Sequence, residues 1–288
     1  ENIFTFSANK DPELVNINPD GVIVMEEEYL KSVKELLYQV QHAPELKSRM
    51  QAITSLGENE GKEVLLAALR DPYFKVRNMA LERLSDFSLS KKELAQVEKL
   101  ATSDPSNIAK SAAIWVLSSS KENKRYTGIY EKALTTPSGA VKNAALNAIA
   151  HTNPKRAKDF LEKADPKELE IDQLAGLTGV IADNKMTQYL PTLMPYLVNY
   201  PFLEEDNPEI AADFKKAYLW AMSLDNKNLV EQMQKAYKDF TQEENGDKAK
   251  QALWKVIDEG IAQKKKLTST ATIKEQIQML EELKSKIR

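Results

Sequence analysis

From Tyr29 onward the apolar positions recur at helical spacing, segment after segment, with short polar breaks between them. Four segments also share a longer period. "PELKSRMQAITSL" starts at Pro44, "PYFKVRNMALERL" at Pro72, "PSNIAKSAAIWVL" at Pro105 and "PSGAVKNAALNAI" at Pro137. In each, a basic residue lies five positions after the proline (Arg49, Arg77, Lys110, Lys142) and an alanine eight after it (Ala52, Ala80, Ala113, Ala145). Aliphatic residues follow at nine (Ile53, Leu81, Ile114, Leu146) and at twelve (Leu56, Leu84, Leu117, Ile149). Offsets eight, nine and twelve share one helical face, so each copy predicts an amphipathic helix with alanine where a neighbour crosses closely. Proline is expected at the first helical position, with Asp71, Asp104 and Thr136 capping the exposed N–H groups.

A partner helix precedes each copy: "YLKSVKELLYQVQ" (29–41), "KEVLLAALR" (62–70), "KKELAQVEKLAT" (91–102) and "RYTGIYEKALT" (125–135). Helix pairs of about 30 residues that bury each other's faces are the units of a solenoid. "DPYFKVRNMALERL" (71–84) resembles the second helix of a HEAT repeat, D-P-x-x-x-V-R-x-x-A-hydrophobic-x-x-L; the other copies are looser, with Ala43 in place of Asp and Lys in place of Arg in two. Helical hairpins without the motif continue to the end, closing on "IKEQIQMLEELKSKI" (273–287), which reads as a polar-backed capping helix. The expected fold is an all-α, HEAT/armadillo-like superhelix of about eight helical hairpins over 29–288. All three tryptophans, Trp115, Trp220 and Trp254, fall on apolar helical faces and are expected in its core.

Residues 1–28 read differently. "LVNINPDGVIVM" (14–25) is a hairpin candidate, two β-prone runs around a turn at Asn18-Pro19-Asp20-Gly21. Two or three short strands form no stable sheet alone, so this stretch is expected either to be the end of a β-domain or to lie on a helix.

Composition narrows the functions. Net charge is −3 with mixed signs, which disfavours nucleic acid as a partner, and no apolar run is long enough to span a membrane. The absence of cysteine excludes disulfides and thiolate metal sites. The two histidines, His42 and His151, lie far apart, each near a helix C-terminus where a donor is favoured. No carboxylate pair is spaced for acid–base chemistry, so no catalytic, metal or cofactor site is expected in this chain.

"KDPELVNINPDGVIVMEE" (10–27) running into "LLYQVQHAPELKSRMQAITSL" (36–56) is similar to the C-terminal part of bacterial aminopeptidase N-type (gluzincin) zinc metallopeptidases, with Gln39, His42, Ala43, Arg49, Ala52 and Leu56 at matching places. The resemblance implies that residues 1–28 are the remnant of a preceding β-sandwich domain, and that the rest is a non-catalytic domain that packs on the catalytic domain of the same polypeptide and shapes the access of peptide substrates. Zinc would then belong to a catalytic half upstream, because the H-E-x-x-H that binds it does not occur here. An exported protein, periplasmic or extracellular, is also implied. The alternative is a free-standing HEAT scaffold that binds another protein.

Two groups of residues are singled out. Arg49, Arg77, Lys110 and Lys142 could form a cationic stripe, but Asp71 and Asp104 recur at the same phase, which favours a structural ladder between repeats. The stretch "YLPTLMPYLVNYPFLEEDNP" (189–208) cannot be one continuous helix, because Pro191, Pro195 and Pro201 interrupt its hydrogen bonding. Its aromatic residues Tyr189, Tyr196, Tyr200 and Phe202 either contact a partner or substrate, or fill the core of a distorted hairpin.

Overall fold

The computed structural model describes residues 5, 7, 9–19, 22, 30–240 and 247–287. Among the described residues all regular structure is helical: sixteen α-helices and two 3-10 turns. The chain divides into two compact units, 1–148 and 149–288.

The first unit is built from successive helix pairs: α1 (Val33–His42) with α2 (Leu46–Thr54), α3 (Lys62–Ala68) with α4 (Phe74–Leu84), and α5 (Lys91–Ser103) with α6 (Asn107–Ser119). A 3-10 turn (Asn123–Tyr126) and α7 (Thr127–Ala133) then lead towards α8 (Gly139–Thr152). The first helices of two pairs begin with capping boxes, Ser32 with Glu35 and Ser90 with Glu93, each satisfying two backbone N–H groups. The second helices supply the repeated core. Ala52, Ala80, Ala113 and Ala145 are fully buried, so α4 approaches α2 and α6 closely. The aliphatic residues one and four positions further on are buried beside them.

The starts of these helices differ from the sequence expectation. Each helix begins two residues after its proline, and Pro44, Pro72 and Pro105 occupy the preceding turn. Asp71 Oδ1 accepts from the N–H of Tyr73 and Asp104 Oδ1 from that of Ser106, both at 2.8 Å. These are Asx-turns that present the carboxylate sideways to the preceding repeat. Gly61, at φ +67°, opens α3; a Cβ there would meet Leu56 Cδ2 at 2.2 Å.

The hairpin expected over 14–25 is corrected where it is described. Residues 14–19 are irregular, Asn18 has a φ of +50°, and there is no strand among the described residues. Their polar groups turn to α2 rather than to a partner strand: Asn16 Nδ2 donates to Ser48 Oγ, and Ser48 Oγ to the Pro19 carbonyl. Residues 20, 21 and 23–25, the rest of that hairpin, lie outside the described residues, as do 1–4, 6, 8 and 26–28 of the expected remnant.

The second unit contains α9 (Pro154–Leu161), α10 (Ile171–Asp183), α11 (Leu190–Leu197), α12 (Tyr200–Leu203), α13 (Pro208–Met222), α14 (Lys227–Phe240), α15 (Asp247–Lys264) and α16 (Ala271–Lys286). α13 is its hub, packing on α10, α11, α12 and α15. Four tyrosines, Tyr189, Tyr200, Tyr218 and Tyr237, are fully buried there, and burial pushes each phenol above its ordinary range.

Candidate interaction surface

The residues singled out in the sequence separate into three kinds of environment. Arg77 Nε and Nη2 each lie 2.7 Å from an oxygen of Asp104, while Nη1 donates to the carbonyls of Asp71 and Pro72. One repeat earlier, Arg49 Nε donates to Asp71 Oδ2 at 2.7 Å and Nη1 donates to the carbonyls of Ala43 and Pro44. Each guanidinium ties its own turn to the aspartate opening the next copy, and four of its five N–H donors are spent there. Lys110 and Lys142 make no ion pair among the described residues. For Lys110 the reason is local: Thr136 stands before Pro137 where an aspartate would have to be.

The proline-broken aromatic segment divides differently. Pro191 and Pro201 sit in the first turns of α11 and α12, where no intrahelical donor is lost, and Pro195 lies inside α11. Tyr189 Oη donates to the carbonyl of Leu161 at 2.6 Å, and Tyr200 Oη to Glu259 Oε2 at 2.9 Å. Both rings are core. Tyr196 and Phe202 lie at the surface, 43% and 37% exposed. The four aromatics therefore form no single contact surface.

A surface missed by the sequence reading lies between α4 and α6. Trp115, expected in the core, is 43% exposed, and Ile108, two helical turns earlier, is 51% exposed. Trp220, by contrast, is buried. Ile108, Ala112 and Trp115 line one wall of a groove of about 420 Å³ whose other wall is Asn78, Leu81, Glu82 and Ser85. The signal was present in the repeat register. Trp115 lies ten positions after its proline, where the other copies carry Thr54, Glu82 and Asn147. Ile108 lies three after, where they carry Lys47, Lys75 and Ala140. Around its own helix Trp115 falls among apolar residues; the equivalent Thr54 and Glu82 are exposed, while Asn147 in the last copy is buried.

Glu82 is exposed on the same face. Asn78 Nδ2 donates to its Oε1 at 2.7 Å, and among the described residues no lysine or arginine pairs with it. The neighbouring Arg83 points the other way, donating to the carbonyls of Ile53, Leu56 and Gly57 at the end of α2. These carbonyls lie at and just past the helix C-terminus, where the regular i+4 donors run out. His42 lies in the last turn of α1, its ring tilted by 42° against that of Tyr38 with centroids 4.4 Å apart. Among the described residues no group of three or more His, Asp or Glu side chains could hold a metal ion, and no helix is long and apolar enough to cross a membrane.

Comparison with known proteins places this geometry in a class. Residues 33–118, α1 through almost all of α6, match the family of HEAT repeats, so the part of the chain bearing the groove is a HEAT-repeat helical array. No curated protein matches the sequence. Among solved structures, the chain is similar to the X-ray structure of YibA from Escherichia coli, at 15% identity and a TM-score of 0.42, covering 85% of this chain and 91% of that one.

Proposed function

We propose that this chain is a HEAT-repeat scaffold that binds another protein through the groove between α4 and α6. The observation that carries the reading is the exposure of Ile108 and Trp115 at repeat positions that are polar, charged or small in the other copies. Tryptophan is enriched in interface hot spots, and a rigid indole beside a preformed groove contributes contact area at little conformational cost. The second helices thus supply both the core, through their buried alanines, and the working surface, through their exposed face.

The finer expectation, attachment to a zinc aminopeptidase, draws less support. The residues that carry that resemblance have structural duties inside the first unit. Gln39 is fully buried and donates to the Ser48 carbonyl at 2.6 Å, Ala52 and Leu56 are core, and Arg49 pairs with Asp71. Packing of a helical array accounts for them without a catalytic domain. The family matched is that of HEAT repeats.

A photo-crosslinking amino acid at position 108 tests the scaffold reading, with position 92 on α5 as the control. The expected result is a discrete adduct from the source cells at 108 that disappears when Trp115→Ala is added. Equal capture at 92, or capture indifferent to W115A, would show that this groove is not the binding surface.

A further inference from the structure

Two of the three tryptophans carry a cation of the chain itself. Lys185 Nζ lies 5.0 Å from the ring centre of Trp220, and Lys250 and Lys284 lie 4.8 and 5.7 Å from that of Trp254. Among the described residues Trp115 has none. It is also the tryptophan beside a carboxylate without an ion pair, since Glu82 occupies the same repeat position on the adjacent helix and lines the same groove. No other charged side chain lines that groove. An aromatic face and an anion held side by side form half of a cation site.

We propose that the groove between α4 and α6 receives an arginine side chain from the partner polypeptide, its guanidinium lying on the indole of Trp115 and bonding to Glu82. Arginine suits both halves: its planar fork pairs bidentately with a carboxylate and stacks on an aromatic ring. The bond from Asn78 Nδ2 engages Oε1 of Glu82 and steadies the carboxylate for the incoming cation. Ile108 and Ala112 offer the apolar surface on which the residues flanking the arginine pack. This assignment rests on the scaffold reading of the same groove.

The test follows the three indole N–H signals of the intact chain by NMR, with Trp115 assigned through Trp115→Phe. The probes are acetyl-Leu-Arg-Leu-amide and its citrulline counterpart, which keeps the shape and loses the charge. Titration to about 20 mM detects dissociation constants in the low millimolar range. The arginine peptide should shift the Trp115 signal saturably, and the citrulline peptide should bind about three- to tenfold more weakly. Glu82→Gln, which retains the acceptor for Asn78, should weaken the arginine peptide by a similar factor and leave the citrulline peptide unchanged. Equal binding of the two peptides, or an arginine peptide indifferent to E82Q, would overturn the cation site while leaving the groove as a protein-binding surface. No shift of Trp115 with either peptide would overturn both.

Discussion

Arg77 and Asp104 form a fork-to-fork pair between consecutive repeats, with two N–O distances of 2.7 Å and side chains only 8% and 1% exposed. Asp104 also accepts from the Ser106 N–H, and Arg77 also donates to the carbonyls of the turn at 71–72. Every polar group of the pair is therefore engaged, the condition under which a buried ion pair is tolerated.

Removing one partner strands the other. Arg77→Met should lower the unfolding free energy of the first unit by about 3–5 kcal/mol, because it leaves the Asp104 carboxylate buried without its cation. The double variant Arg77→Met/Asp104→Leu should recover much of that loss. Arg49→Met should cost less, since Arg49 is the more exposed at 14%. Urea denaturation of the three variants measures all of these, and a loss below about 1 kcal/mol for R77M would contradict a linking role for the pair.

How far these relationships were legible depends on whether they repeat. Ala80, Leu81 and Leu84 announced the core face because the same offsets recur in four copies. Arg77 and Asp104 were legible as a pair because a basic residue recurs in four copies and an aspartate, at a fixed phase to it, in two. Arg83 was not, since its partners are backbone carbonyls, which any sequence supplies. Trp115 and Ile108 were hidden because a lone helix places them beside apolar neighbours, and only the polar and charged residues at their register in the two earlier copies point to solvent. The turn at Asn18-Pro19 was legible as a bend, but its polar groups found Ser48 instead of a second strand. Tyr189 and Tyr200 were ambiguous from sequence, because aromatic residues near prolines suit a surface loop or a core equally.

In the second unit, Lys264 is fully buried, and its ammonium donates to the Leu224 carbonyl. Burial pulls its pKa down to about 8, opposed by Asp225, whose carboxylate is held by Thr272 and Gln276. Between pH 8 and 10.5 the unfolded chain keeps a proton that the folded chain has released, so stability rises with pH across that window. The rise should amount to about 1–3 kcal/mol and vanish in Lys264→Met. Above pH 10 the buried tyrosines act in the opposite sense. Their raised pKa values mean that the unfolded chain loses protons first, and stability falls. Denaturation at half-unit pH steps from 7 to 11 checks both limbs; a wild type flat from 8 to 10 would refute the role of Lys264.

Gly179, inside α10, lies under the Asp213 carboxylate of α13; a Cβ there would approach Asp213 Oδ2 to 2.4 Å. Burial raises the Asp213 pKa, opposed by the charge on Lys216, so pushing this carboxylate deeper would cost further desolvation. Alanine is the better helix former by about 1 kcal/mol, yet here it must displace Asp213. Gly179→Ala is therefore expected to give no gain in the wild type and a gain of about 0.5–1 kcal/mol in an Asp213→Ala background. Additive effects in this double-mutant cycle would show that the two residues do not compete for space.

The aromatic residues give the sharpest separation between folding and binding. Tyr200 is fully buried and donates to Glu259, which also accepts from Lys215. Tyr200→Ala should destabilise the second unit by about 3–5 kcal/mol, whereas Tyr196→Ala, at an exposed position, should stay within about 0.5 kcal/mol. Trp115→Ala resembles the second case in stability and differs from it in function. Its indole stands on the wall of the groove and 43% of its surface is open to solvent, so its removal should leave the thermal midpoint within a few degrees. Crosslinking at position 108 should nonetheless be abolished. Differential scanning calorimetry run beside the crosslinking assay separates the possibilities: a large loss of stability in W115A would return this tryptophan to the core, and retained crosslinking would remove it from the interface.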